Sequence, residues 1–553
     1  MKLRTEALRA IEGKSFDVCV IGGGATGAGC ALDSQLRGLK TVLLEACDFG
    51  SGASSASTKM AHGGVRYLER AIRGFDLAEY AIVRRALRER LCMLRNAPYL
   101  TRVMEFFTPC FSWVDAAYFG TGLKLYDWVS GRASLGPSRF ISRDETLRRT
   151  PSLNPERLIG AVTYSDGQFD DARYNIALVA TFTEAGGDAL NYARVTGFEK
   201  GSDGKLRAVE VEAAQAHRRF PVCARAFVNA TGPSSDAVRK MAAPGLRQRM
   251  RLSKGVHIVL PSEVLPDHRA MLIPKTEDGR VLFAIPWQGR VLVGTTEKEV
   301  ELASEMFLEN EEAEYLLRHL NRYLLHPATL DQVMSGTAGA RPLINSSESK
   351  QTKVLARDHE VELDPKTGLI SIMGGKWTTY RAMAEDTIDA VQKFLDAPAN
   401  PCQTRNYPLT GSIDYNQDYW QALANRSGIS GVAARHLAGT FGVRASKVLD
   451  LAENDRELAL PLVEGLAPIR AEVVYAIREE MSVSIGDVLA RRTGLESYGW
   501  RDALRAAPVV TELLACELGW PEAVANDSLR RYVSEIHGRI QRAGLAPAPV
   551  GTA

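Results

Sequence analysis

Cysteine is sparse and scattered in this chain of 553 residues. Cys19, Cys30, Cys47, Cys92, Cys110, Cys223, Cys402 and Cys516 form no C-x-x-C pair. That argues against a disulfide framework or a zinc site and fits reduced, mostly buried thiols in a cytosolic protein. Metal-ligand spacing is missing, and so is any Ser-His-Asp pattern. No apolar run approaches the roughly 18 residues that a membrane-spanning helix needs. The N-terminal MKLRTEALRAIEGKSF has neither a long apolar core nor the shape of a signal peptide, so any membrane contact is expected to be peripheral. A strong excess of one charge is also absent, and a net charge of +2 gives no reason to expect nucleic acid. There is no fixed-period repeat. The hydrophobic fraction, 45%, leaves ample core, and the length suggests about three or four domains or fewer large ones.

Residues 16–45, FDVCVIGGGATGAGCALDSQLRGLKTVLLE, hold the first positive signal. Phe16 to Ile21 is a short apolar run suited to a strand buried on both faces. Gly22, Gly24 and Gly27 then match G-x-G-x-x-G, with Ala25 and Thr26 between them. A helix-compatible run follows to Arg37, Gly38 suits its stop, and Lys40 to Glu45 reads as a second strand. Gly22 permits the tight turn, Gly24 lets a pyrophosphate approach the backbone, and Gly27 lets helix and strand pack closely. The helix N-terminus offers free N–H groups to phosphate. Glu45, about 20 residues on, is placed to accept from ribose hydroxyls. The competing reading, a glycine-rich packing turn, leaves the acid unexplained.

The run Gly50 to Thr58 is made of small residues and leads into Lys59-Met60-Ala61-His62-Gly63-Gly64-Val65-Arg66-Tyr67-Leu68. It suits close approach to a large ligand; a linker is the alternative. Residues 76–96 read as a helix carrying Arg84, Arg85, Arg88, Arg90 and Arg95. That pattern fits either a solvated face or contact with an anionic membrane. Residues 186–232 read as short strands and turns. Asp278-Gly279 and Gln288-Gly289 mark hairpins within residues 251–299, which suggests a largely antiparallel sheet inserted in an α/β domain. Leu369 to Met373 is a strand ending at Gly374-Gly375, with a long helix from about Trp377. Pro398, Pro401, Pro408 and Gly411 mark a linker, and a helical domain of about 130 residues follows.

Gly374-Gly375 opens a second helix N-terminus, with Lys376 and Thr378-Thr379 in its first turn. Were the dinucleotide FAD, such a terminus near the pyrimidine end would favour the anionic reduced ring. An ordinary helix cap is the plainer alternative. Arg66, Arg341, Arg357 and Lys376 are the candidate cations for a phosphate or carboxylate. Arg341, in Gly339-Ala340-Arg341-Pro342-Leu343, is expected on a tight turn. His257 is expected mid-strand, either as a core histidine or as a base suited to neutral pH.

Several of these segments together resemble the FAD-dependent glycerol-3-phosphate dehydrogenase family. The resemblance rests on Val20 to Gly27, Ser54 to Glu69, Asn229-Ala230-Thr231-Gly232-Pro233, Lys254 to Val259, Ile285-Pro286-Trp287 and Gly294-Thr295-Thr296-Glu297. It continues in Gly339 to Leu343, Arg357-Asp358, Gly374 to Arg381 and Ala471 to Thr493. Thr58, Met60, Ala61 and Glu297 depart from the usual pattern, and Ile344 to Lys353 matches poorly.

The resemblance implies an α/β fold: a Rossmann-like FAD-binding domain, an inserted mixed or antiparallel substrate domain and a C-terminal helical domain. The expected bounds are 1–75, 160–235 and 335–398 for the first, 76–159 and 236–334 for the second, and 399–545 for the third, with 546–553 as a tail. It implies FAD held by Gly22, Gly24, Ala25, Thr26, Gly27, Glu45, Ser54, Ser55, Ser57, Lys59, His62, Gly63, Gly64, Ala230, Thr231, Gly232, Gly375, Lys376, Trp377 and Thr378. It implies oxidation of sn-glycerol 3-phosphate to dihydroxyacetone phosphate, with electrons passed to a quinone. Arg341 and Arg357 are assigned to the phosphate, with Arg66, Tyr67 and Lys376 nearby and His257 as candidate base. An oxidase using oxygen, or an amino-acid or amine oxidase on a related scaffold, is the alternative. A cytoplasmic location, with peripheral attachment to the inner face of the cell membrane, and a homodimer stay open.

Overall fold

The computed structural model describes residues 1, 3–64, 77–214, 218–266, 269–302, 306–345 and 359–547. Two sheets carry the architecture. The first runs in the order His359–Leu363, Leu369–Gly374, Arg218–Asn229, Ser15–Ile21, Thr41–Leu44, Asp188–Leu190. Its last five strands are mutually parallel. Ala193–Lys200 and Leu206–Ala213 extend it as an antiparallel flap on Arg218–Asn229. Val18, Cys19 and Val20 are fully buried, as the unbroken apolar run requires of a strand covered on both faces. The helix Ala25–Leu36 packs against Asp171–Glu184 and Tyr380–Leu395, so the two glycine-led helices, distant in sequence, are neighbours.

The second sheet has ten strands, largely antiparallel. Its spine is Met250–Pro261, Arg290–Gly294, Leu282–Trp287, Ala270–Ile273, Thr101–Cys110 and Gly160–Phe169. Both expected hairpins form: Ala270–Ile273 pairs with Leu282–Trp287 around Asp278-Gly279, and Leu282–Trp287 with Arg290–Gly294 around Gln288-Gly289. Among the described residues one pair is parallel, Ala270–Ile273 with Thr101–Cys110, and it makes the sheet mixed.

Two expected bounds do not follow the ladders. Gly160–Phe169 and Ser335–Ile344 hydrogen-bond into the second sheet, on Thr101–Cys110 and Met250–Pro261 respectively, so the sheet boundaries do not fall at 160 and 335. The expected separate helical domain also divides by its core. Residues between Leu423 and Tyr475 form a core of their own. Val488, Trp500, Val510 and Ile536 share one core with Ile258 and Leu292 of the second sheet. The apolar stripe of these later helices has the sheet as its partner, and the Trp500 N–H donates to the Met334 carbonyl at 3.0 Å.

Candidate active site

A cavity of about 2310 Å³ is lined from both sheets. On the first sheet's side the chain turns at Gly22, in the left-handed region at φ +107°, and enters the helix at Ala25. A Cβ at Gly22 would lie 2.7 Å from the Ala230 carbonyl oxygen, one at Gly24 2.8 Å from Ser54 Oγ, and one at Gly27 1.7 Å from the Gly22 oxygen. Side chains are therefore excluded here, and bare backbone and a helix N-terminus face the cavity, as phosphate binding requires. Glu45 accepts from the Gly23 N–H at 2.6 Å and the Cys47 N–H at 2.9 Å. Burial raises its carboxyl, and those amides oppose the shift. This donor and acceptor set fits a dinucleotide.

The second glycine turn opens on the same cavity. Gly374 and Gly375 both have positive φ, and a short turn at Trp377–Thr379 leads into the helix Tyr380–Leu395. Trp377 Nε1 donates to the Ser54 carbonyl at 2.8 Å, and the His62 N–H to Thr378 Oγ1 at 3.3 Å. The small-residue run and the Gly374-Gly375 turn are thus joined directly, which spacing alone did not establish.

Of the expected cofactor residues, Gly22, Gly24, Ala25, Thr26 and Glu45 line the cavity, as do Ser54, Ser55 and Ser57. His62, Gly64, Ala230, Thr231 and Gly232 line it too, with Gly375, Lys376, Trp377 and Thr378. Gly27 serves the turn from beneath. Lys59 differs from expectation: its ammonium turns away, into an ion pair with Asp171 and a 3.0 Å bond to the Ser55 carbonyl. A buried carboxylate is a stronger partner for that cation than a solvated cleft. Gly63 also sits behind the wall, its N–H donating to Tyr126 Oη at 2.9 Å. Tyr126 in turn donates to Asp166, which pairs with Arg90 at 2.6 Å. Arg90, placed by its sequence on a basic helix face, is 1% exposed and anchors this segment.

Arg341 is not on a tight turn. It lies in the strand Ser335–Ile344, paired opposite Ser253. Among the described residues this strand pairs only with Met250–Pro261, and an edge position tolerates Pro342. The Arg341 guanidinium donates to Thr295 Oγ1 at 2.7 Å and to the Thr296 carbonyl at 3.2 Å. It crosses Gly255, where a Cβ would come within 2.1 Å of it. His257, in Met250–Pro261, is directly opposite Gly294, where a Cβ would fall 2.1 Å from the imidazole Cδ2. Both candidate side chains therefore lie across a strand at a glycine. Burial first, then Arg341 and Lys59, push the His257 imidazole down to about 3, so it is neutral at neutral pH. His257, Arg341 and Lys376 all line the cavity. Arg66, Tyr67 and Arg357 lie outside the described residues.

Sequence reasoning passed over several residues of the wall. Thr58 Oγ1 is 3.0 Å from His257 Nε2, a pairing across 199 positions with no local signal. Arg194, Lys275 and Arg280 add cations. Arg491, Glu496, Trp500 and Arg539 line the cavity from the helical region that was expected to stand apart.

Residues 17–389 match the family model described as FAD dependent oxidoreductase, and residues 402–525 match the C-terminal domain of alpha-glycerophosphate oxidase. The mitochondrial glycerol-3-phosphate dehydrogenase of Homo sapiens is 38% identical over 525 residues, covering 93% of this chain and 72% of the relative. The chain belongs to the FAD-dependent glycerol-3-phosphate dehydrogenase family. The family's probable Caenorhabditis elegans member is 39% identical over 528 residues, covering 94% of this chain and 73% of its own length. The X-ray structure of the glycerol-3-phosphate dehydrogenase from Bacillus halodurans, complexed with FAD, superposes with a TM-score of 0.79 at 28% identity, covering 100% of this chain and 99% of that one. An L-alpha-glycerophosphate oxidase from Mycoplasma pneumoniae, with FAD bound, shares the fold at a TM-score of 0.55 and 16% identity, covering 72% of this chain and 99% of that one. The two-sheet architecture with its C-terminal helical region, and FAD as the cofactor, agree with this family of glycerol-3-phosphate dehydrogenases.

Proposed function

We propose that the protein oxidises sn-glycerol 3-phosphate to dihydroxyacetone phosphate in this cavity and passes the electrons to a quinone. The observation that carries the reading is the meeting of Arg341, Lys376 and a neutral His257 at the cavity onto which both glycine-led helices open. When bound, FAD supplies the acceptor, at flavin N5, for the hydride that leaves carbon 2. Arg341 offers a planar fork to the phosphate, and Lys376 adds charge from a helix N-terminus. Arg66, Tyr67 and Arg357 keep their place near the phosphate on the strength of the family motifs. A buried neutral imidazole at His257 holds the proton from the carbon-2 hydroxyl. Several cations favour a dianionic phosphate over the lone carboxylate of an amino acid.

The quinone half of the reading draws support from the helix Trp113–Ser130. Trp113, Val114 and Trp128 are 70%, 77% and 73% exposed, while Ala117, Tyr118 and Gly122 of the same helix line the cavity. Exposed tryptophans with Lys124, Arg132 and Arg139 close in sequence suit the interface of an anionic bilayer. The basic helix Leu77–Asn96 suits it less, because Arg90 is buried and Arg85 pairs with Asp386 at 2.6 Å. Among the described residues no helix is long and apolar enough to cross a membrane. The protein then sits peripherally on the inner face of the cell membrane. Turnover with a soluble quinone should be rapid, and in air should release little peroxide. Peroxide formed as fast as quinone is reduced would make the protein an oxidase.

A further inference from the structure

His257 is only 1% exposed, although it borders the cavity. Its Nε2 is 3.0 Å from Thr58 Oγ1. Its Nδ1 is buried with no hydrogen-bond partner among the described residues. Thr58 is half-buried and lines the cavity. Of the two, the threonine is the more accessible from the cavity, and its hydroxyl is already within hydrogen-bond distance of the ring.

The surroundings hold this pair in place. Gly294 gives the ring its seat, since a Cβ there would fall 2.1 Å from Cδ2. On either side of Thr58 the backbone is tied down. The Ser57 N–H donates to Asp171 Oδ2 at 2.9 Å, and Lys59 is ion-paired to the same carboxylate. Lys59 adopts φ +59°, a conformation that L side chains rarely take. An unusual backbone held by a buried ion pair next to a reacting group marks a positioned segment rather than a linker.

A hydroxyl accepts one hydrogen bond while donating another. On the reading that His257 is the base, we propose that Thr58 is a catalytic residue that relays the proton of the substrate's carbon-2 hydroxyl to His257. The substrate O–H bond breaks and its proton moves to Thr58 Oγ1. The proton already on Thr58 moves to His257 Nε2. The carbon–oxygen double bond forms as the hydride leaves carbon 2 for the FAD that the established family chemistry supplies. Thr58 is unchanged at the end, His257 has gained the hydroxyl proton, and the flavin has gained the hydride, that is, two electrons and the carbon-2 hydrogen.

Thr58→Val keeps the shape and removes the hydroxyl; it should slow anaerobic flavin reduction by about 100-fold, with the KM for sn-glycerol 3-phosphate held within about threefold. Thr58→Ser should restore the rate. In holoenzyme labelled with ¹⁵N-histidine, Thr58→Val should move one imidazole Nε2 resonance, a readout independent of turnover. In mixtures of H₂O and D₂O, the wild-type reduction rate should bow downward with deuterium fraction, since two protons move together. A straight line, an unmoved resonance, or a Thr58→Val rate within about threefold of wild type would overturn the relay. Should Thr58→Val fail to hold FAD, the wild-type D₂O series decides alone. His257→Asn separates the two ideas: a slow His257→Asn with a fast Thr58→Val removes only the relay, whereas a fast His257→Asn removes the base as well.

Discussion

Arg341→Ala lowers kcat/KM for sn-glycerol 3-phosphate by about 10²–10³-fold, the loss expected when a bidentate, charge-assisted contact to a dianion is removed. The guanidinium is already aimed. Two of its nitrogens are held by Thr295 and Thr296, and Gly255 leaves the space it crosses. Little ordering remains to be done on binding, so most of the interaction appears as affinity and orientation. If the phosphate is held equally in ground and transition states, KM carries the loss; if it also orients carbon 2, kcat falls too. Arg341→Lys recovers only part, because an ammonium cannot present two parallel donors. Steady-state kinetics on both variants check this, and unchanged constants would remove Arg341 from the site.

Glu480→Ala destabilises the protein by about 3–5 kcal/mol, the usual result of leaving one half of a buried ion pair. Glu480 and Arg173 are 2% and 6% exposed and joined by two bonds of 2.7 Å. Arg173 also stacks on Phe441, 4.6 Å from the ring centroid. The pair fastens the helix Asp171–Glu184, which packs on the nucleotide-binding helix, to the C-terminal helix Ala471–Glu480. Burial alone would raise the Glu480 carboxyl, but Arg173, with Arg492 and Arg444, more than reverses this and holds it below the ordinary glutamate value. The unfolded chain binds that proton more tightly. The pair's contribution is therefore complete above the ordinary glutamate pKa and fades as the pH falls below it. Urea midpoints of wild type and variant across pH 4–7 measure both effects. The difference should shrink toward the acid end, and a pH-independent gap would contradict the linkage.

What was readable from sequence was chemistry carried by neighbours. Gly22, Gly24 and Gly27 declare their turn through their spacing after an apolar run, although only Gly27 answers a clash inside that unit; Gly22 and Gly24 face Ala230 and Ser54. Asp278-Gly279 and Gln288-Gly289 reveal hairpins because the turn itself needs a glycine at positive φ, +76° and +70°. Arg341 was misplaced because Gly-Ala-Arg-Pro-Leu is turn-like in composition, and only the fold puts it on a sheet edge where Pro342 costs no ladder bond. Arg90 looked solvated because its partner, Asp166, comes from a strand 76 positions away. Thr58 was noticed only as a departure from a motif, since His257 is 199 positions distant. Trp500 and Arg539 were set apart with the helices because an apolar stripe shows that a helix is covered, but not by what.

The central claim is that this cavity holds FAD beside a cation set built for a phosphorylated secondary alcohol. The most direct test is an anaerobic titration of the FAD-loaded protein, followed by its visible absorption. sn-Glycerol 3-phosphate should bleach the flavin band near 450 nm (roughly) stoichiometrically. Glycerol, which lacks the phosphate proposed as the partner of Arg341 and Lys376, should leave the band intact at the same concentration. A flavin that stays oxidised with sn-glycerol 3-phosphate, or that glycerol reduces equally well, would contradict the account.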